Sequence, residues 1–150
     1  MSTVKQVAAS LASLTVTGLS TLASATYVTS AAKDNTSNQP IDVVFVVEAA
    51  TTNTPSGNKR LLVFAQASYD NSNWQSGPGS GTTTTDEPDL TLLGVLPINT
   101  STTTHRKAFP IAEVFAGVVP PFVRLVIKND LGVALTSAAV NTSEISATVA

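Results

Sequence analysis

The chain has 150 residues, a formal net charge of −2, only 12% charged residues and no cysteine. This length predicts one domain with its own core, and the missing thiols exclude disulfides, thiol catalysis and thiolate metal sites. The near-neutral charge argues against nucleic acid as a partner, no apolar run approaches the ~18 residues of a membrane span, and so few charges favour self-association.

Residues 1–25 differ from the rest of the chain. Apolar residues fall at helical spacing there: Val4, Val7, Leu11 and Leu14. The spacing predicts a short amphipathic helix or an extended arm. Such a segment would either cover one end of its own domain or dock on a neighbouring subunit, and both interpretations stay open. It only loosely resembles a cleavable signal, because hydroxyl side chains interrupt its apolar region. We therefore divide the chain into this arm or helix and a single domain over 26–150.

Eight short segments after residue 25 are predicted as β-strands, mostly from the alternation of apolar and polar residues. They cover residues 26–30, 41–48, 61–69, 90–98, 107–111, 122–129, 133–140 and 144–149. We expect 41–48 and 61–69 to be antiparallel neighbours, since one polar loop joins them. The turn-forming residues 129–132 predict a hairpin between 122–129 and 133–140.

The pattern of elements predicts the fold class. One helical turn is expected at 113–117, but no long helix alternates with the strands. The prediction is therefore an all-β, antiparallel β-sandwich of about seven or eight strands, with jelly-roll and immunoglobulin-like topologies both open. Residues 70–89, which are rich in Gly, Ser, Thr and Pro, are predicted as a mobile surface loop.

Sequence patterns for catalysis or metal binding are weak. The only histidine, His105, lies in a basic trio, and the chain has no Gly-x-Ser-x-Gly elbow, so an exposed strand-edge residue is the simpler interpretation. The acidic stretches 34–38 and 86–89 could offer oxygen ligands to calcium, but neither has EF-hand spacing. We predict no catalytic residue, no metal and no cofactor, and an enzyme is the least favoured class.

One loop suggests carbohydrate binding. Tyr69 and Trp74 flank an Asp-Asn-Ser-Asn stretch, and exposed aromatic rings beside Asn and Asp are groups that contact sugars. The same Trp could instead fold back onto the sheet. Tyr69 and Trp74 are therefore the candidate glycan contacts of an alternative function.

Several motifs together resemble small structural proteins encoded in tailed-bacteriophage genomes. They are Asp34-Asn35-Thr36-Ser37-Asn38, a strand of the type Ile41-Asp42-Val43, a strand ending in Tyr69-Asp70 with Trp74 beyond it, Phe109-Pro110-Ile111-Ala112, and residues 115–120 leading into a valine-rich strand. The resemblance covers roughly residues 27–140. It implies a β-sandwich virion component of the capsid cement, or decoration, type.

The resemblance also implies a function and partners. A cement protein is non-enzymatic, binds the major capsid protein and stabilises the assembled shell, usually as a trimer or dimer. Its location would be the virion, assembled in the host cytoplasm, and residues 1–25 would be an arm reaching onto the shell. Val4, Val7, Leu11 and Leu14 are then the expected subunit or shell contacts. A phage tail or fibre component and a secreted carbohydrate-binding adhesin module are the alternatives.

Overall fold

The computed structural model describes residues 3–83, 87 and 89–149. These residues form ten strands and two 3₁₀ turns. The strands are β1 (Val4–Ala8), β2 (Ala12–Leu14), β3 (Tyr27–Thr29), β4 (Lys33–Asp34), β5 (Asp42–Ala50), β6 (Arg60–Ser68), β7 (Thr91–Pro97), β8 (His105–Pro110), β9 (Phe122–Asp130) and β10 (Ser137–Val149). The 3₁₀ turns are Leu19–Thr21 and Glu113–Phe115, and the second confirms the single helical turn predicted there.

The strands form two antiparallel sheets. Sheet I has the order β1 and β2, β10, β5, β8, and sheet II has the order β3 and β4, β9, β6, β7. β1 and β2 follow one another along the same edge of β10, and β3 and β4 do the same along β9, so the ten strands occupy eight positions. The prediction of an antiparallel β-sandwich is confirmed.

Strand pairing identifies the topology. β6 pairs with β7, β5 with β8, β3 and β4 with β9, and β1 and β2 with β10. In the sequence, each of these pairs therefore encloses the pair named before it. A long hairpin rolled up in this way is a jelly roll, in which eight strand positions form two packed sheets. Of the two topologies that the sequence left open, the chain adopts the jelly roll.

The core lies between the two sheets. Alternate residues of each central strand point inward, so Phe45 of β5, Phe109 of β8 and Leu125 of β9 are buried together. The apolar surface that they remove from water is the main term that stabilises the fold. Leu19 and Leu22 belong to the same core, which makes the N-terminal segment an integral part of the sandwich.

A second, smaller cluster lies on the outer face of sheet II. Its members are Tyr27, Phe64, Leu90 and Val126. Leu90 comes from the long connection between β6 and β7, so that connection packs across the sheet. The Tyr27 hydroxyl donates a hydrogen bond to Glu87, and Lys128 Nζ lies 3.0 Å from the same carboxylate. Tyr27, predicted to be half-buried, is fully buried because this connection covers it.

Two predictions of strand pairing are wrong. β5 and β6 lie in opposite sheets, and so do β9 and β10, which means that neither pair forms a hairpin. Residues 133–140 and 144–149, predicted as two strands, fall largely within the single strand β10. The alternation of apolar and polar residues shows which face of a strand is buried, but not which strand lies beside it. A short polar loop can either turn back within one sheet or cross to the other sheet of the sandwich.

The helical interpretation of residues 1–25 is also wrong. Val4–Ala8 and Ala12–Leu14 are strands that pair with β10. An isolated helix of this length is marginal in water, whereas the edge of the long strand β10 supplies hydrogen-bond partners for an extended chain. The extended alternative is the conformation present.

Candidate functional site

A two-stranded ribbon projects from one end of the sandwich. β10 pairs with β5 only as far as Ile145, which lies opposite Asp42, the first residue of β5. Beyond that point β10 has β1 as its partner, in a register running from Ala8 opposite Ile145 to Val4 opposite Val149. We call β1 with residues 145–149 the ribbon. A two-stranded unit by itself is marginally stable in water.

Both faces of the ribbon carry exposed apolar side chains. Residues opposite each other in an antiparallel pair share a face, so Val4 and Val149 lie together on one side, and Val7 lies on the other. Their exposed fractions are 66%, 74% and 49%. Large apolar side chains on both faces of a projecting element mark a surface that a partner would cover.

The outer edge of the ribbon is open. Ala9 N donates to Glu144 O at 2.8 Å. This bond shows which residues of β1 are hydrogen-bonded to β10, because hydrogen-bonded residues alternate along an antiparallel strand. Lys5 and Val7 therefore direct their backbone groups at β10, and alternate residues such as Gln6 direct theirs away from it. In the described part of the chain these outward groups have no strand beside them. An open edge of this kind can pair with another chain.

The four predicted contact residues of the N-terminal segment divide into two groups. Val4, Val7 and Leu11 are exposed. Leu14 instead packs against the core of its own domain, because its partner Val140 points inward between the sheets. The interpretation that the segment covers its own domain therefore holds from Leu14 onward. For the exposed residues Val4, Val7 and Leu11, docking on a partner stays a prediction.

A pocket of about 420 Å³ opens beside the base of the ribbon. Segments 35–41 and 117–121 form its walls, with these lining residues: Asn35, Thr36, Gln39, Pro40, Ile41, Gly117, Val118, Val119 and Pro121. The Ile41 amide donates to Ile145 O at 2.8 Å, which places the pocket wall next to the first residue of the ribbon. The pocket and the ribbon therefore share one end of the molecule.

Asn35 is the unusual residue of the pocket. Its side chain is only 3% exposed, and its Nδ2 donates to Pro120 O at 3.0 Å. Its Oδ1 has no hydrogen-bond partner in the described part of the chain. A buried acceptor without a donor costs about 1–3 kcal/mol, and this oxygen is too deeply buried to be reached from the pocket without a rearrangement of its surroundings. The pocket walls also contain Gln39, whose φ of 43° is uncommon for a residue other than glycine.

A charged cluster holds the base of the ribbon. The Glu144 carboxylate accepts hydrogen bonds from Lys33 Nζ and from Asn38 Nδ2, the second at 2.8 Å. The bond from Lys33 is the main cause that lowers the pKa of Glu144 below its ordinary value of 4.5, and the bond from Asn38 acts in the same direction. The cluster joins the segment before β5 to β10 where the ribbon begins.

Glu144→Gln should lower the free energy of unfolding at pH 7 by about 1 kcal/mol. A carboxylate whose pKa is lower in the folded state stabilises the fold above its unfolded pKa, and that stabilisation is lost as the pH falls through the folded value. The variant should therefore differ from the wild type at pH 7 and converge on it well below pH 4.5. Urea unfolding at both pH values checks this, and an unchanged difference at low pH would contradict it.

The outer face of sheet I is nearly uncharged in its middle. Phe45 and Val47 point inward, so Val44, Val46 and their partners point outward. The middle of the face consists of Val44, Val46, Ala108, Pro110, Asn141 and Ser143, of which Val46 is only 8% exposed. In the described chain its charges lie towards the ends, where Arg106 Nε pairs with Glu48 at 3.1 Å and Asp42 accepts the Ala112 amide at 2.8 Å. Unlike sheet II, this sheet carries no second apolar cluster on its outer face in the described residues.

The two candidate glycan residues lie in different environments. Tyr69 is 81% exposed. Trp74 is half-buried, and the Arg124 guanidinium carbon lies 4.3 Å from its ring centroid. The aromatic ring thus folds back towards sheet II, which was the other interpretation of Trp74. Asp70 is also engaged within its loop, where the Asn73 amide at 2.7 Å and further donors lower the pKa of its carboxyl well below the usual range.

The other residues considered for chemistry show ordinary interactions. His105 Nε2 lies 3.3 Å from Thr100 Oγ1. Asp34 Oδ1 accepts from the Thr36 amide at 2.8 Å and from its hydroxyl at 2.7 Å. Within residues 3–83, 87 and 89–149 no three His, Cys, Asp or Glu side chains are grouped as a metal site would require. The second predicted calcium stretch lies partly outside the described residues, since Asp86 is not among them.

No protein-family model matches the sequence, and no curated protein matches it. The resemblance to phage structural proteins therefore stays a prediction. No helix in the described residues is long and apolar enough to cross a membrane.

Sequence analysis missed the pocket. Its walls come from segments that are far apart in the chain, and only the fold places Asn35 near Val118. The sequence contains one signal of an apolar surface there. Val118 and Val119 precede Pro120-Pro121 in a connection that is too short to fold over these side chains and remove them from water. Val118 is indeed exposed.

Proposed function

We propose that this protein is a non-enzymatic structural component of a bacteriophage virion, a capsid cement protein that binds and stabilises the assembled shell. The nearly uncharged middle of the outer face of sheet I is the observation that carries the proposal. The longest connection of the chain packs across sheet II, whereas the outer face of sheet I carries no such apolar cluster in the described residues. A flat face without charges in its middle can be buried against another protein without leaving unpaired ions.

The size of this face suits a protein interface. Four strand positions spaced ~4.8 Å apart and roughly nine residues long span about 19 by 30 Å, or about 570 Å². A stable interface covers about 800 Å² on each partner, so the face and its rim together approach that size. A contact of this kind, repeated at many places on a shell, reinforces it even when each contact is weak.

The fold is compatible with this proposal but does not select it. Jelly rolls occur in viral capsid proteins and also in lectins and cupins, and a fold alone does not define a function. The resemblance of the motifs to phage structural proteins favours the virion. The carbohydrate-binding and tail-tip alternatives depend on Tyr69, whose exposed ring lies outside the uncharged face.

Replacing both Ala108 and Ala139 with Lys should weaken binding to shells of the major capsid protein at least tenfold. Both residues are exposed on the outer face of sheet I, so the change adds charge to the interface without disturbing the core. The measurement is co-sedimentation of the purified protein with shells of the phage that encodes it. Cryo-electron microscopy of virions would show the same contact directly.

The matched control is Tyr69→Lys, which adds charge to an exposed residue outside this face. The control should bind shells like the wild type. If the wild type binds no shell but binds glycans, and Tyr69→Lys abolishes that binding, the proposal fails and the carbohydrate-binding alternative replaces it.

A further inference from the structure

We infer that Arg124 and Trp74 form a binding site for an acidic sugar, in which the Arg124 guanidinium holds the carboxylate of the sugar. The site lies on the outer face of sheet II, where Arg124 is the partner of Gln66 in the pairing of β9 with β6. The proposed shell contact lies on the other sheet. The inference therefore goes beyond the proposed function, because it adds a ligand of another chemical class on another surface.

Arg124 differs from the other partly buried cations of the protein. Four of the eight lysine and arginine side chains are half-buried: Lys33, Arg60, Arg124 and Lys128. The other three each form an ion pair with an aspartate or a glutamate. Among the residues that the structure describes, no carboxylate pairs with Arg124. A charge that is partly removed from water and lacks a counterion is stabilised when an anion binds to it.

The pKa of Arg124 agrees with this description. Burial lowers the pKa of its guanidinium below the ordinary value, and no neighbouring carboxylate opposes the change. An arginine in a protein nevertheless remains charged at neutral pH. The site thus offers a permanent positive charge to a ligand.

The guanidinium of Arg124 is held in a fixed orientation. Its Nε donates to Gln66 Oε1 at 2.9 Å, and its central carbon lies 4.3 Å from the centroid of the Trp74 ring. Gln66 is itself buried, and its Nε2 donates to Gln75 O at 2.7 Å. The two terminal nitrogens of Arg124 have no acceptor in the described chain. A guanidinium fixed in this way can bind a carboxylate through two parallel hydrogen bonds, and it loses little side-chain entropy when it does so.

The charges around the site favour a ligand with a single carboxylate over a polyanion. Ser68 pairs with Phe122, which is two residues or about 7 Å along β9 from Arg124. The Ser68 hydroxyl lies 3.1 Å from Asp70, so this carboxylate belongs to the same end of the face. The Asn73 amide and further donors lower the pKa of Asp70 well below the usual range, which keeps it ionised. A fixed negative charge here disfavours nucleic acid and other chains of many phosphates.

The polar groups beside the site favour a sugar as the carrier of the carboxylate. Asn71, Ser72 and Asn73 are exposed and offer neutral amide and hydroxyl groups. Tyr69, which is 81% exposed, begins three residues or about 10 Å along the strand from the level of Arg124, a distance comparable with the length of a disaccharide. Neutral hydrogen-bonding groups with an exposed aromatic ring suit the hydroxyl groups and the ring of a sugar. They offer little apolar surface to a peptide.

The fluorescence of Trp74 tests the inference. Trp74 is the only tryptophan of the chain, so its emission reports directly on the site. Glucuronate should produce a saturable change in this emission. Glucose, which has a hydroxymethyl group in place of the carboxylate, should bind at least about tenfold more weakly. Added salt should weaken the binding of glucuronate, because the contact is between two charges near the surface.

A matched pair of variants assigns the effect to Arg124. Arg124→Lys keeps the positive charge but loses the planar pair of donors, so the affinity for glucuronate should fall at least about tenfold. The control is Arg60→Lys, since Arg60 lies on the adjacent strand and pairs with Asp130. The control should bind glucuronate like the wild type. The comparison of glucuronate with glucose needs no variant, and it remains decisive if Arg124→Lys fails to fold.

Several outcomes would overturn the inference. One is the absence of a saturable change with tens of millimolar glucuronate, in both fluorescence and calorimetry. Equal affinities for glucuronate and glucose, or an unchanged affinity in Arg124→Lys, would remove the role of the guanidinium. Acetate that binds as tightly as glucuronate would show that the sugar ring contributes nothing. A peptide with one aspartate that binds more tightly than glucuronate would replace the sugar with an acidic protein partner.

The inference and the proposed function fail separately. A protein that binds shells but not glucuronate overturns the sugar site and leaves the cement function in place. A protein that binds glucuronate but no shell supports the sugar site and removes the cement function. Arg124→Lys leaves the outer face of sheet I unchanged, so each result can be attributed to one surface.

Discussion

Gly132→Ala should lower the free energy of unfolding by about 3 kcal/mol or more. Gly132 has a φ of +78°, which costs a residue with a Cβ about 1–2 kcal/mol. A Cβ at this position would also lie 2.5 Å from both Gly57 N and the Ser56 hydroxyl. The first of these atoms belongs to backbone and cannot rotate away, so overpacking adds roughly 1–3 kcal/mol.

This close approach has a structural cause. Gly57 lies between β5 and β6, and Gly132 lies between β9 and β10, so both belong to connections that cross from one sheet to the other. The Gly57 amide donates to Leu131 O at 2.8 Å, which holds the two connections backbone to backbone. A side chain between them would force apart two crossings on which both sheets depend.

The matched control is Gly18→Ala. Gly18 also has a left-handed backbone, with a φ of +84°, but a Cβ there would meet no atom within 4 Å. The control should therefore lose only the conformational term of about 1–2 kcal/mol. Urea unfolding of the two variants at pH 7 gives the comparison. If both variants lose the same free energy of unfolding, the close approach to Gly57 does not contribute to stability.

Asn129→Ala should destabilise the protein by about 3–5 kcal/mol. The Asn129 side chain is fully buried, and its Nδ2 donates to Leu22 O at 2.8 Å and to Val133 O at 2.9 Å. Its Oδ1 accepts the Leu131 amide at 3.0 Å. Removal of the amide group leaves three backbone groups without this partner, each at a cost of about 1–3 kcal/mol, of which relaxation recovers a part.

The control for this change is Asn141→Ala. Asn141 lies on the outer face of β10, and its side chain makes no hydrogen bond in the described part of the chain. Its loss should change the free energy of unfolding by no more than about 0.5 kcal/mol. Thermal and urea unfolding of both variants provide the measurement, and a loss below 1 kcal/mol for Asn129→Ala would refute the role given to its side chain.

Asn129 also explains why one sequence prediction failed. Residues 129–132 have turn-forming character, and the prediction was a hairpin. The side chain of Asn129 instead joins the N-terminal segment, through Leu22, to the crossing between β9 and β10, through Val133. Leu22 is more than a hundred residues away in the sequence, so no local pattern could have indicated the crossing.

The candidate site was only partly predictable. Helical spacing of apolar residues predicted Val4 and Val7 as contact residues. Both are exposed on the ribbon, and their contact with a partner stays a prediction. The helical spacing that suggested them was misleading, because β1 is a strand in which every residue is exposed. The pocket was not predictable, since a buried oxygen without a partner, such as that of Asn35, exists only once the chain has folded.

The sequence by itself determined the strands and the fold class. Alternation with a period of two defines a buried and an exposed face for β5 and β9 whatever lies beside them, because successive side chains point to opposite faces. Tertiary structure decided which strands pair, which connections cross and which surfaces stay bare. Those features arise from contacts between distant segments, such as β1 with β10 and Gly57 with Gly132, whose energies do not exist until the chain brings them together.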